Sequence, residues 1–221
     1  MIGRATMIGE VSYPQFTGRK AKTYVFTREI VDLVNLAVFL GRPILVEGEA
    51  GCGKTTLARA IAEDLDLEKT FVSIPVKSTS QAKDLLYRFD GLRRLQDAQS
   101  ADNQRAQQIY HYITLQPLGE ILRLSKPCVV LIDEVDKADI DFPNDLLDVL
   151  DRFEFVVEDL PQEEEQFSLA REGGFGRIVK AQGPARPIVI ITSNQEKRLP
   201  EPFLRRCLAP SLQARLSPAI C

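Results

Sequence analysis

The strongest chemical signal in this 221-residue chain is the run Gly48-Glu49-Ala50-Gly51-Cys52-Gly53-Lys54-Thr55. It satisfies G-x-x-x-x-G-K-[ST], a spacing suited to a polyphosphate. Glycines allow positive φ and close backbone approach, so successive N–H groups from Gly51 to Thr56 can wrap anionic oxygens. The helix expected behind the loop adds partial positive charge at its start. Lys54 is expected to reach the β- and γ-phosphates, and the Thr55 hydroxyl to bind Mg2+. A chance glycine turn is the competing reading. The buried strand before the loop and the helix after it argue against that.

Three further groups suit phosphate chemistry. The apolar run Val129-Val130-Leu131-Ile132 delivers Asp133 and Glu134 at its end. At the C-terminal edge of a parallel sheet these acids lie where ligands bind. Asp133 can hold Mg2+ through water, and Glu134 can polarise an attacking water as general base. Asn194 follows the run Ile188-Val189-Ile190-Ile191, and on a neighbouring strand its amide could orient water near the γ-phosphate. An ordinary polar turn residue is the alternative there. Arg205 and Arg206 are solvated surface charge or an arginine finger offered to a neighbouring subunit's γ-phosphate. Adjacent helical side chains point about 100° apart, so one of the two is expected to reach, and either could be the one.

The elements that must position these groups follow from the pattern. Ile30, Val31, Val34, Ala37 and Val38 recur at helical steps, with Thr27 to cap the start and Gly41 to end the helix. Ile44-Leu45-Val46 reads as a strand, and Leu57, Ile61 and Leu65 share one face of the next helix. Residues 70–76 read as an edge strand because Pro75 sits near their end. Residues 96–108 are polar and read as an exposed helix or loop. Pro117 opens a helix through Leu124. Asp141 can cap a helix whose apolar face is Leu146, Leu147, Leu150 and Phe153, and residues 154–180 read as a hairpin or flexible loop. A short helix is expected over 202–206. Continuous apolar strands alternating with helices imply an α/β fold with a parallel sheet covered on both faces. The chain divides into a loose lead-in over 1–22, a nucleotide-binding core over 23–207 and an irregular tail over 208–221.

Composition bounds the function. The chain is 44% hydrophobic and 27% charged, with 28 Lys+Arg against 31 Asp+Glu and a net charge of -3. This is the composition of a globular protein, and the length allows a real core. The balanced charge argues against a dedicated nucleic-acid binder. No apolar run approaches the roughly 20 residues that span a bilayer, and no signal peptide is evident. The cysteines Cys52, Cys128, Cys207 and Cys221 have no CxxC spacing, and His111 is the one histidine, so neither a zinc site nor a metal cluster is expected. Free thiols in the cytoplasm are the simplest reading. Tyr110-His111-Tyr112 could contact a client, with packing as the plainer role.

Taken together, GRPILVEGEAGCGKTTLARAIA, VVLIDEVDKADIDFPNDLLDVLD and IVIITSNQEKRLPEPFLRRC resemble an AAA+ ATPase, and more narrowly the MoxR-like, dynein-related branch. The match in order and spacing covers about residues 24–207. The resemblance implies a P-loop NTPase three-layer sandwich with sheet order 5-1-4-3-2. It implies a Walker A loop over Gly48–Thr55, a Walker B pair at Asp133-Glu134, and sensor 1 at Asn194. Arg205 or Arg206 would be the finger. The expected cofactors are ATP and Mg2+, with the Walker A backbone, Thr56 and Asp133 contacting them. The expected assembly is a homo-oligomeric, hexameric ring acting as a chaperone-like remodeller or cofactor inserter. Its client would be a protein, with a von Willebrand A-domain partner as one candidate. Such proteins continue past the arginine pair into a fifth strand and a helical lid. Here 15 residues follow Arg206, so the lid is expected to be missing or truncated. The alternative function is therefore an ATP-binding module with little hydrolysis, a scaffold or vestige. A GTPase would need NKxD and an ABC ATPase LSGGQ, and both are absent. A small-molecule kinase would need a substrate lid that the chain does not reveal.

Overall fold

The computed structural model describes residues 6–8, 11–13, 15–22, 24–99, 107–161, 175–182 and 186–210. The chain opens with a hairpin of β1 (Thr6–Ile8) and β2 (Val11–Tyr13), paired antiparallel. Helix α1 (Arg28–Leu40) starts where the Thr27 hydroxyl accepts from Ile30 N and stops at Gly41 in the left-handed region, both as its sequence predicts. Strand β3 (Ile44–Glu47), the glycine loop and α2 (Lys54–Asp64) follow. Next come β4 (Phe71–Pro75), β5 (Tyr87–Phe89), α3 (Gly91–Gln99) and β6 (Ile113–Leu115). Helix α4 (Pro117–Leu124) leads into β7 (Val129–Asp133) and α5 (Phe142–Arg152). The hairpin β8 (Glu154–Val156) with β9 (Ile178–Lys180), then β10 (Ile188–Ser193) and α6 (Glu201–Arg206), complete the series.

The central sheet is parallel, in the order β3-β10-β7-β4. Its strands alternate side chains between two layers. Ile44, Val46, Val129, Leu131, Ile188 and Ile190 pack with α1 and α2. Leu45, Val130, Ile132, Val189 and Ile191 face α4, α5 and α6. Period-two alternation thus explains why the strands read as unbroken apolar runs, since both faces are covered. β4 is the edge strand, and Pro75 is tolerated at its end opposite Asp133.

Three expectations are corrected. In the numbering implied by the resemblance, the sheet among the described residues is 1-4-3-2, four strands of the expected five. The fifth position holds a single parallel bridge, with Leu45 N donating to Leu208 O at 2.8 Å and Leu208 N to Pro43 O at 2.8 Å. The next donor in register is residue 210, a proline without an N–H, so the ladder cannot continue there. Asp141 stands before α5 but makes no side-chain cap. The lead-in is not loose throughout, because Phe16 is buried against α1. The acidic and glycine-rich stretch of residues 162–174 and the tail from 211 onward lie outside the described residues. Among the described residues, no helix is long and apolar enough to cross a membrane.

Candidate functional site

The glycine loop joins β3 to α2 beside the ends of β7 and β10. Gly51 and Gly53 adopt φ of +81° and +93°, and an added Cβ at either would meet nothing within 4 Å. Backbone conformation, rather than crowding, therefore requires glycine at these positions. Gly53 stands at the start of α2 and offers no side-chain cap, so the first N–H groups of the helix point out of its end. Cys52 packs against Gly48, where a Cβ would lie 2.9 Å from its sulfur.

Lys54 is 7% exposed. Its Nζ donates to Gly48 O at 2.7 Å and Glu49 O at 2.9 Å, and lies 3.9 Å from the Cys52 sulfur. A buried ammonium held by neutral carbonyls, with no carboxylate partner among the described residues, is poised for an anion. Thr55 Oγ1 donates to Asp133 Oδ2 at 3.4 Å. These two oxygens come from the loop helix and the β7 end, and hard oxygen donors of this kind suit Mg2+.

Asp133 also accepts a short hydrogen bond from the Thr192 hydroxyl, and that hydroxyl accepts from Glu134 N at 2.9 Å. Thr192 thus couples the two acids to β10. Glu134 adopts φ +63°, ψ +50°, a left-handed conformation costing about 1–2 kcal/mol for a side chain with a Cβ. The turn aims its carboxylate at Asn194, whose Nδ2 donates to Oε1 at 2.9 Å. Lys137 Nζ binds the other oxygen at 2.6 Å. The Lys137 ion pair, helped by Asn194, outweighs burial and holds the Glu134 carboxyl below its usual range. Asp136, fully enclosed, accepts from Asn194 N at 3.1 Å and Glu196 N at 2.8 Å and so fixes the loop that carries Asn194.

One cavity of about 240 Å3 gathers these groups. Ala50, Gly51, Gly53, Lys54, Thr55 and Thr56 line one side, and Asp133, Glu134 and Asn194 the other. Gly48 and Glu49 lie behind, as acceptors of the Lys54 ammonium. Arg205 and Arg206 do not line it. Both are exposed on α6, and Arg206 Nε pairs with Asp151 Oδ2 at 3.1 Å. Thr192, Asp136 and Lys137 are the site residues that motif reading passes over. Polar residues inside or just after an apolar strand were the available signal. A larger cavity, about 520 Å3, lies near the start of α5, but its lysine, Lys83, is already met by Asp159 and Glu158. Tyr112 is buried, with its hydroxyl donating to Asp97 at 2.7 Å, which is a packing role.

A parallel α/β sheet with a glycine loop and two acids at the end of a nearby strand defines a P-loop nucleotide-binding protein. Residues 44–213 match the family described as "ATPase family associated with various cellular activities (AAA)", and the chain belongs to that family. Similar solved structures include a candidate ATPase from Cytophaga hutchinsonii, 18% identical with a TM-score of 0.46. That match covers 79% of this chain and 42% of the other. A RuvB mutant from Thermotoga maritima is 15% identical with a TM-score of 0.46, covering 83% of this chain and 44% of its own. The chain thus spans less than half the length of either. No curated protein matches.

Proposed function

We propose that this chain binds Mg·ATP at the Gly48–Thr56 loop and hydrolyses it. The observation that carries the reading is Lys54: a buried ammonium with no anionic partner among the described residues, at the mouth of a helix, opposite two carboxylates. The residues fit the group. The loop N–H groups and Lys54 would hold the phosphates, and Thr55 with Asp133 would hold Mg2+, which supplies charge neutralisation of the phosphate oxygens. Glu134 accepts the proton of the attacking water, and Asn194 orients Glu134 and that water. Arg205 or Arg206, both remote from this cavity, would act on a neighbouring subunit in a ring. Remodelling of a client protein in the cytoplasm, as in the MoxR-like branch, is the finer form of this reading.

A second reading is a binding module with little turnover. The Lys137–Glu134 ion pair favours it, because a carboxylate held low by a lysine is a weaker base. Calorimetry with Mg·ATP, followed by phosphate release at rising protein concentration, tests both. Binding with a rate per chain that climbs with concentration supports hydrolysis with a finger in trans. Binding with a flat, near-zero rate selects the passive module. No magnesium-dependent uptake removes both.

A further inference from the structure

We infer that Thr192 is a positioning residue for magnesium: from inside the sheet it turns the Asp133 carboxylate so that one oxygen, Oδ2, is left toward the phosphate loop for the metal; this rests on the nucleotide reading above. Thr192 lies on β10 and is fully buried. It does not line the cavity, so its effect on a ligand passes through other residues. Its place follows from the register. β10 and β7 pair in parallel with Ile190 beside Leu131 and Ile191 beside Ile132. One step further along, Thr192 stands beside Asp133. Side chains alternate along a strand, so Thr192 continues the row of Ile188 and Ile190, and Asp133 that of Val129 and Leu131. These rows pack with α1 and α2 and are otherwise apolar. A hydroxyl at the end of such a row is costly to bury unless it is hydrogen-bonded.

Here it is bonded on both sides. A hydroxyl has one proton to give and accepts through its lone pairs. Glu134 N donates to it at 2.9 Å, and it donates in turn to Asp133 Oδ1 in a short bond. The carboxylate is thereby divided. Oδ1 is spent inside the protein, while Oδ2 accepts from the Thr55 hydroxyl at 3.4 Å, on the side of the phosphate loop. That second contact is long, so the bond from Thr192 is the one that fixes the rotation of the carboxylate. The other half of the relay reaches the neighbouring acid. Glu134 takes its left-handed conformation with its N–H anchored on the same hydroxyl. One buried group thus sets the face that Asp133 offers to the cavity and the backbone from which Glu134 projects. Outer partners that orient a metal-binding carboxylate are typically worth about 10- to 100-fold in metal affinity.

The test is calorimetry on the full chain with ATP in magnesium and with ATP in a chelator. The ratio of the two affinities reads the metal's share, and the affinity in chelator reads the phosphate loop alone. Thr192→Val keeps the shape of the side chain and removes both hydrogen bonds. It is expected to shrink the ratio by about tenfold and to leave the affinity in chelator within about twofold. Thr192→Ser keeps the hydroxyl and is expected to restore most of the ratio. In an Asp133→Asn background, Thr192→Val is expected to change the ratio by less than about twofold, because both substitutions act on one contact. Should Thr192→Val not fold, Thr192→Cys carries the test, since a thiol is a weak donor and acceptor of similar size. The inference is overturned if the folded variant keeps the wild-type ratio, if both affinities fall together, or if Thr192→Ser loses as much as Thr192→Val. If the wild-type chain binds ATP in neither solution, or equally in both, the magnesium–nucleotide reading itself falls and the inference with it.

Discussion

The two ends of α2 make a controlled comparison. Each is approached by a loop whose backbone N–H groups converge around glycine at positive φ: Gly51 and Gly53 at the start, Gly18 at the end. At the far end the chain supplies its own anion, the Asp64 carboxylate. At the near end, among the described residues, no carboxylate accepts from the loop's backbone N–H groups, and the cation Lys54 folds back on carbonyls. The same backbone device is structural where the sequence fills it and ligand-binding where it does not. An N–H concavity becomes interpretable only once the internal anions around it are traced.

The comparison breaks most severely at the near end. Glu134→Gln is expected to retain Mg·ATP affinity and lower turnover by about 100- to 10,000-fold, because an amide cannot take the proton from water. Steady-state phosphate release beside calorimetry measures this, and unchanged turnover would remove Glu134 as base. Lys54→Ala is next. Loss of a charge-assisted phosphate contact of about 3 kcal/mol predicts roughly 100-fold weaker Mg·ATP binding. Thermal unfolding without ligand is expected to drop modestly, since the Gly48 and Glu49 carbonyls lose their shared donor.

A pair of glycine substitutions sharpens the contrast. Gly18→Ala imposes positive φ on a Cβ and crowds Phe26 and Val31. We expect about 2 kcal/mol of lost stability by urea unfolding. Gly53→Ala imposes φ strain alone, with open space around the new methyl. About 1 kcal/mol is expected in stability, with the larger effect on nucleotide affinity. Equal stability losses would mean that the two loops are constrained alike.

What the sequence revealed follows this division. The near end was legible because the phosphate loop is a local motif, read within ten residues of chain, and because buried parallel strands announce themselves as apolar runs. Asp133, Glu134 and Asn194 could be placed together because parallel strands deliver their ends to one edge. The far end was illegible. The Thr17, Gly18 and Lys20 contacts to Asp64 span more than 40 residues of sequence, and nothing in their composition marks a strap. Thr192 lies near the polar end of β10, where nothing in the sequence marks it, yet it joins both acids. The fifth strand was expected from family resemblance. Among the described residues it is a single bridge at Leu208, and Pro210 offers no N–H to extend it.

The smallest effect is a slope. Burial raises the Asp64 carboxyl, but the backbone N–H groups of Thr17, Gly18 and Lys20 outweigh it and hold the carboxyl below the ordinary value. A group depressed on folding contributes stability above its unfolded pKa and loses it as pH falls through the folded value. Wild-type unfolding free energy is therefore expected to fall more steeply with acid below about pH 4 than that of Asp64→Asn, the two curves converging at the lowest pH. The remaining carboxylates are common to both proteins and cancel in the difference. Parallel curves would mean that the strap does not hold an ionised carboxylate, and the likeness between the two ends of α2 would be lost. Convergence would establish that the far end carries an anion of its own, which is what distinguishes it from the end that waits for one.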